Sequence, residues 1–381
     1  MSASRTAAAF AALVWVIAPS VAAAPSPAAP HVVFRLSDPR IAEASGIAAG
    51  IVSPGVIYVQ NDSGDEARFF ALDARTGKTL ATYTVPGATN VDWEDIAVAP
   101  DARGVASVWL ADIGDNDAAR TEIVVYRVAE PHVDASAADV AATTVAPEVW
   151  RLRYPGTATD AESLAVSPHG AAYVFTKSLS GTARVFALPS RSDPSLVQSL
   201  RPVGSVQLGF TGTAGGPNVL GQRTVTGAAL SRDGTTLAVR TYTDAYVWPV
   251  TGSDLAAAIK AKPVRLALPA QPQGEGIAFD GARLLIDSEQ TGSAVYALAV
   301  PPLSGTATPT AATNAPGSVP PVAPQQNTSP PSGSQTHYPL WAGIGAGVLI
   351  IAMLFVTNRY IGQDVRQVRR DRRRDRDTRR R

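Results

Sequence analysis

Five stretches of the chain can be laid over one another: EASGIAAGIVSPGVIYVQND (43–62), DWEDIAVAPDARGVASVWLADIGD (92–115), DAESLAVSPHGAAYVFTKS (160–178), TVTGAALSRDGTTLAVRTYTD (224–244) and QGEGIAFDGARLLIDSE (273–289). Each runs from a polar or acidic position through a short strand of small and apolar residues to a turn with Gly or Pro. A second strand follows and ends in polar residues. A repeat unit of this kind cannot bury its apolar face alone, so it constrains the fold more than any other feature of the sequence. A third β-rich run follows every copy (69–72, 123–127, 185–188, 246–250, 295–299), and a fourth precedes every next copy (80–85, 148–153, 203–208, 264–268). Helical periodicity is nearly absent between residues 31 and 300.

Four strands per repeat predict an all-β fold, a β-propeller. The last copy lacks its fourth strand, while HVVFRL (31–36) stands unpaired at the start of the body. The arithmetic therefore predicts a ring of five blades closed by the N-terminal strand, which removes the open sheet edge. Successive copies are 49, 68, 64 and 49 residues apart, so a sixth, divergent blade inside one long interval is the alternative. The Gly-rich stretch GFTGTAGGPNVLGQ (209–222) lacks the Gly-Lys-Ser/Thr element of a phosphate loop and reads as an insertion.

In such a blade the first strand lines the channel, and the start of strand one and the end of strand two lie on one face of the ring. The alignment puts Ser45, Glu94, Glu162, Thr226 and Glu275 at the first location. Asn61 and Asp62, Asp112, Lys177, Arg240, and Asp287 with Glu289 fall at the second. Three glutamates crowded at a channel mouth raise one another's pKa or require a cation. A hard divalent ion such as Ca2+ suits an oxygen-only set, with Glu94, Glu162, Glu275, Asp62, Asp112 and Asp287 as candidate ligands. Glu162 and Glu275 are the candidates for carboxylate acid/base catalysis, and Lys177 and Arg240 for binding an anionic ligand group. The structural alternative is that these acids accept hydrogen bonds from the next blade's backbone. The loops NDSGDE (61–66) and DIGDND (112–117) carry calcium-like spacing without matching an EF-hand, and ordinary turn chemistry accounts for them as well. Four histidines, His31, His132, His169 and His337, are too dispersed for a Ser-His-Asp triad or a histidine metal site. The absence of cysteine excludes thiol chemistry and disulfides.

The two ends predict where the body resides. Residues 1–24 hold one basic residue, Arg5, an apolar run and a small-residue exit, the pattern of a secretory signal peptide. Residues 301–337 lack Lys, Arg, Asp and Glu and are rich in Pro, Thr and Ser, the composition of an extended stalk. Residues 338–358 contain 17 uncharged apolar residues between aromatic flanks, the pattern of one transmembrane helix. The tail, 359–381, carries 11 Arg against four Asp and by the positive-inside rule is cytoplasmic. With the tail and Arg5 set aside, 21 basic residues face 28 acidic ones, so the extracellular body at 31–300 is acidic and a poor partner for nucleic acid.

The cores DAESLA, PQGEGIA and RTYTDAYVW, with WEDIA and the NDSGD loop, resemble a family of bacterial exported propellers grouped as phytase-like or esterase-like. The resemblance implies a propeller with an acidic, calcium-dependent site in which Glu94, Glu162 and Glu275 occupy the recurring acidic position, and it implies hydrolysis of phosphate esters. The leading expectation from the residues is a membrane-anchored propeller that binds a ligand at the acidic channel mouth, through a divalent cation. A metal-dependent hydrolase of phosphate esters or lactones, and a protein-interaction platform of the cell envelope, are the alternatives.

Overall fold

A computed structural model describes residues 29–300 and Leu303. The segments read from the sequence as a signal peptide, a stalk (Leu303 apart), a transmembrane helix at 338–358 and a cytoplasmic tail lie outside the described residues. Among the described residues no helix is long and apolar enough to cross a membrane.

The chain opens with β1 (His31–Arg35). Blade 1 follows as β2 (Ala44–Ala49), β3 (Val56–Asn61), β4 (Arg68–Asp73) and β5 (Thr79–Thr84). Blade 2 supplies β6 (Trp93–Pro100), β7 (Ala106–Asp112) and β8 (Ile123–Ala129), then an excursion containing β9 (Val140–Thr143), then β10 (Glu148–Arg153). Blade 3 is β11 (Ala161–Val166), β12 (Ala172–Thr176) and β13 (Thr182–Ala187), with β14 (Val197–Ser199) in its excursion, and β15 (Arg201–Gln207). Blade 4 is β16 (Val225–Leu230), β17 (Thr236–Thr241), β18 (Asp244–Pro249) and β19 (Val264–Ala267), with the one-turn helix α1 (Leu255–Ala258) before β19. Blade 5 holds β20 (Ile277–Asp280), β21 (Arg283–Ile286) and β22 (Ala294–Ala299).

β1 pairs antiparallel with β22 and becomes the outer strand of blade 5, so the ring has five blades and closes through the N-terminal strand. Phe34 of β1 enters the apolar layer between blades 5 and 1, beside Phe70 and Val295. Gly77, with φ of 70°, admits this strand: a Cβ there would lie 2.5 Å from the Arg35 carbonyl and 2.6 Å from the Phe34 ring.

The two long intervals contain no sixth blade. Each excursion reaches back to the preceding blade and adds a fifth, parallel strand to its outer edge: β9 on β5, and β14 on β10. Hydrogen bonds across the blade boundary thus cover two edges that would otherwise be open. The 209–222 segment is an irregular insertion, as expected, ending in a 3-10 turn at Val219–Arg223.

Among the described residues the core is five apolar layers, each formed by the facing sides of two neighbouring blades. The alternation of each strand sends one set of side chains to each adjacent layer. Aromatic rings dominate: Phe69 stacks on Tyr83 at 5.2 Å between blades 1 and 2, and Trp109 on Trp150 at 5.3 Å between blades 2 and 3. The Arg127 guanidinium lies 5.0 and 5.2 Å from those two indoles.

Candidate functional site

The polar position opening each repeat is a β-bulge. In blades 1 to 4 the register of the inner pair slips between Ala44 and Gly46, Trp93 and Asp95, Ala161 and Ser163, and Val225 and Gly227. Ser45, Glu94, Glu162 and Thr226 are the extra residues, left without a cross-strand partner and re-aimed by the kink. In blade 5, Glu275 stands two residues before β20. The two hydroxyls among the five knit neighbouring blades together. Ser45 Oγ donates to the Glu94 carbonyl at 2.7 Å, and Thr226 Oγ1 donates to the Glu275 carbonyl at 3.1 Å. The three glutamates face the mouth.

Two acidic clusters result, and they share Glu94. Carboxylate oxygens of Asp62, Asp92 and Glu94 lie within 4.8 Å of one another, and so do those of Glu94, Asp160 and Glu162. Two Ca–O bonds of about 2.4 Å span about 4.8 Å, so each triad has the dimensions of a cation site made of oxygen. Gly114 presses its backbone against the pair, and a Cβ there would collide with Glu94 Oε1 and Asp92 Oδ2. Glu275 is 2 % exposed, and its Oε2 has no hydrogen-bond partner. Lys177 is the cation of the mouth, paired with Glu162 Oε1.

The electrostatics follow from crowding in a dry place. Burial pushes Glu94 well above the carboxylate range, and Glu162 and Asp62 push it further. Burial also raises Glu162 to about 7 against the pull of Lys177. Burial, then Glu43 and Glu162, bring Glu289 to about 7. Asp62 is raised by burial and by Asp92, and Glu275 by burial and by Glu162. Burial alone would lower the Lys177 ammonium, but Glu162, Tyr242 and Glu94 together raise it. A bound cation would reverse the sign of the carboxylate shifts, because it favours the ionised form.

The structure brings Asp62, Glu94, Glu162, Glu275 and Lys177 to this mouth, but it puts three other expected site residues elsewhere. Asp112, a candidate metal ligand, is fully buried behind the cluster: Arg120 Nη1 pairs with its Oδ1 at 2.8 Å, and the Asp92 N–H donates to the same oxygen at 3.1 Å. Its other oxygen accepts the Val91 N–H at 3.4 Å, so both are used within the fold. Arg240, expected to bind an anionic group at the rim, is 0 % exposed. It donates to the Gly276 and Asp287 carbonyls and to Gln271 Oε1, at 2.7, 2.8 and 2.6 Å, and Gly274 leaves room for it there, since a Cβ at that position would lie 1.8 Å from Arg240 Nη2. Asp287, a candidate metal ligand, lies one layer deeper, accepting the Gly276 N–H at 2.7 Å.

Asp92, Asp160, Tyr242 and Glu289 complete the mouth. The signal for the first two was an acid two residues before a glutamate, in DWE and DAE. In the Asp-rich loops, Asp65 and Asp115 serve turn chemistry: Asp65 pairs with Arg68, and Asp115 accepts the Ala119 and Arg120 N–H groups.

Neither a protein-family model nor a curated protein matches the sequence. Among solved structures, the chain is similar to the PQQ-bound form of aldose sugar dehydrogenase from Streptomyces coelicolor, at 14 % identity and a TM-score of 0.39, over 72 % of this chain and 99 % of that one. It is also similar to the Cps50 (Swd1) β-propeller domain from Myceliophteria thermophila, at 10 % identity and a TM-score of 0.34, over 68 % and 84 %.

Proposed function

We propose that this propeller is a divalent-cation-dependent binding protein whose ligand docks at the channel mouth. The observation that carries the reading is the pair of carboxylate triads joined through Glu94. One cation held by Asp62, Asp92 and Glu94 and a second by Glu94, Asp160 and Glu162 would neutralise a cluster that has Lys177 as its cation. Their outward coordination positions would accept oxygen atoms of a ligand. The unpartnered Glu275 Oε2 supports the reading, since a buried carboxylate oxygen without a donor is costly unless something binds it.

Because Glu94 belongs to both triads, one substitution tests both. Ca2+ is expected to raise the unfolding midpoint of the wild-type protein and to give a saturable heat in calorimetric titration. Glu94→Gln should lose both responses while keeping the far-UV spectrum. A wild-type protein indifferent to Ca2+, Mg2+ and EDTA refutes the reading.

Hydrolysis of phosphate esters or lactones is the second reading, favoured by one observation: Glu162, at about 7, sits against Lys177 at the same mouth. Such a carboxyl exchanges protons near neutrality and has the pKa a general base needs. A substrate panel turned over by the wild type and not by Glu162→Gln or Glu275→Gln supports hydrolysis; an inert wild type leaves binding alone. In both readings the body is exported and tethered to the membrane by the segments flanking it.

A further inference from the structure

One layer below the mouth, the residue after each repeat's opening polar position is Gly46, Asp95, Ser163, Gly227 or Gly276. Where it is glycine, the second strand places a large polar side chain behind it: Gln60 opposite Gly46, Arg240 opposite Gly227, and Asp287 bonded to the Gly276 N–H. Where the inner strand carries its own polar side chain, Asp95 or Ser163, the neighbour is Ala111 or Phe175. Each blade therefore sends one polar side chain to this level. All five are between 0 and 1 % exposed.

They converge. A Cβ on Gly46 would lie 2.8 Å from Asp95 Oδ1, and a Cβ on Gly276 would lie 2.7 Å from Asp287 Oδ1 and 3.0 Å from the Gly46 carbonyl carbon. Both carboxylates thus flank Gly46, whose cross-strand partner is Gln60. Ser163 adjoins Leu164, whose N–H donates to Asp95 Oδ2 at 2.7 Å.

Their hydrogen bonding is incomplete in a particular way. Asp95 accepts backbone N–H groups on both oxygens, from Ile96 at 2.8 Å and Leu164 at 2.7 Å, so both are already bonded. Arg240 is spent on the Gly276, Asp287 and Thr241 carbonyls and on Gln271. Among the described residues, Gln60 Oε1 and Nε2, Ser163 Oγ and Asp287 Oδ2 have no partner. Buried polar atoms are almost always bonded, so four orphans at one level of a channel indicate a guest. On the side away from the mouth, the channel is lined by Ile47, Ile96, Val98, Val166, Leu230 and Phe279, a floor that offers the guest no side-chain polar group.

We propose that the propeller axis binds one alkali cation, held by Asp287 Oδ2, Gln60 Oε1 and Ser163 Oγ, with water completing the shell and accepting from Gln60 Nε2. Carboxylate, amide and hydroxyl oxygens form a hard-cation donor set. Asp287 is the one carboxylate in this set, which suits a monovalent guest.

The test uses the full chain in EDTA, which keeps divalent ions from the mouth. The unfolding midpoint is compared in sodium or potassium chloride and in choline chloride at equal ionic strength. At about a hundred times the Kd the alkali salt should raise it by about 5 °C or more. Asp287→Asn should abolish that rise while the Ca2+ response of the mouth persists, so this site and the mouth fail separately. Equal midpoints in alkali and choline salts, or an alkali response that survives Asp287→Asn, overturn the proposal. Should that variant not fold, anomalous scattering from wild-type crystals soaked in Tl+ decides: a peak among the three oxygens supports the site, and water density alone overturns it.

Discussion

Individual residues at the mouth carry opposing demands of folding and binding, and their titration exposes the conflict. Glu162 has a folded pKa of about 7, raised by burial above its ordinary 4.5. The folded state therefore holds a proton that the unfolded state releases between about pH 4.5 and 7. Its contribution to stability is fully present below that window and is lost as pH rises through it. In EDTA the unfolding midpoint should fall across this range, Glu162→Gln should flatten the fall, and Ca2+ should restore the midpoint at pH 8. Gly114→Ala is expected to leave the fold cooperative but cost at least tenfold in Ca2+ affinity, because its Cβ would displace Glu94 and Asp92; calorimetric titration reads this directly. Glu130 makes a contrasting case on the opposite face. Its carboxylate accepts N–H groups from Ile51 at 2.9 Å and Val52 at 2.9 Å across a blade boundary. Glu130→Ala should cost about 3 kcal/mol in urea denaturation without touching cation binding. Nothing in the sequence marked this residue, since its partners, backbone N–H groups and the Tyr58 hydroxyl, lie 72 to 79 positions away.

At the scale of elements, the bulge is the device that separates acid from core. WEDIAV is a buried strand with its carboxylate taken out of register, so Glu94 escapes the ladder while Ile96 and Val98 continue toward the axis. The strands themselves were legible because four β-rich runs recur in each copy. The fifth strands β9 and β14 were not: three or four residues long, they lack a repeat signal, and their pairing is with the blade before their own. Trp150 shows what the layers contribute. It is 2 % exposed, stacked on Trp109, and its Nε1 donates to the Pro189 carbonyl at 3.1 Å. Trp150→Ala should destabilise by about 3–5 kcal/mol, read as a lower midpoint in chemical denaturation.

The whole molecule depends on a ring whose last edge is covered by its first strand. Removing residues 29–36 would expose β22 along its length and withdraw Phe34 and Leu36 from the layer between blades 5 and 1. Such a truncation should aggregate on refolding, and a synthetic HVVFRL peptide should restore solubility if pairing with β22 is what was lost. The sequence by itself determined the class of fold, the repeat unit, the need for a closing strand and the face on which the acids gather, because repeat period and strand alternation are local patterns that chain chemistry enforces; that no sixth blade fills the long intervals was decided by the fold. Only the tertiary structure decided which polar residues share a site. Asp62 joined Asp92 and Glu94, Arg240 and Asp287 turned to the axis, and Asp112 was neutralised by Arg120. Those outcomes depend on a few ångströms of bulge, glycine and neighbouring backbone, set where five blades meet.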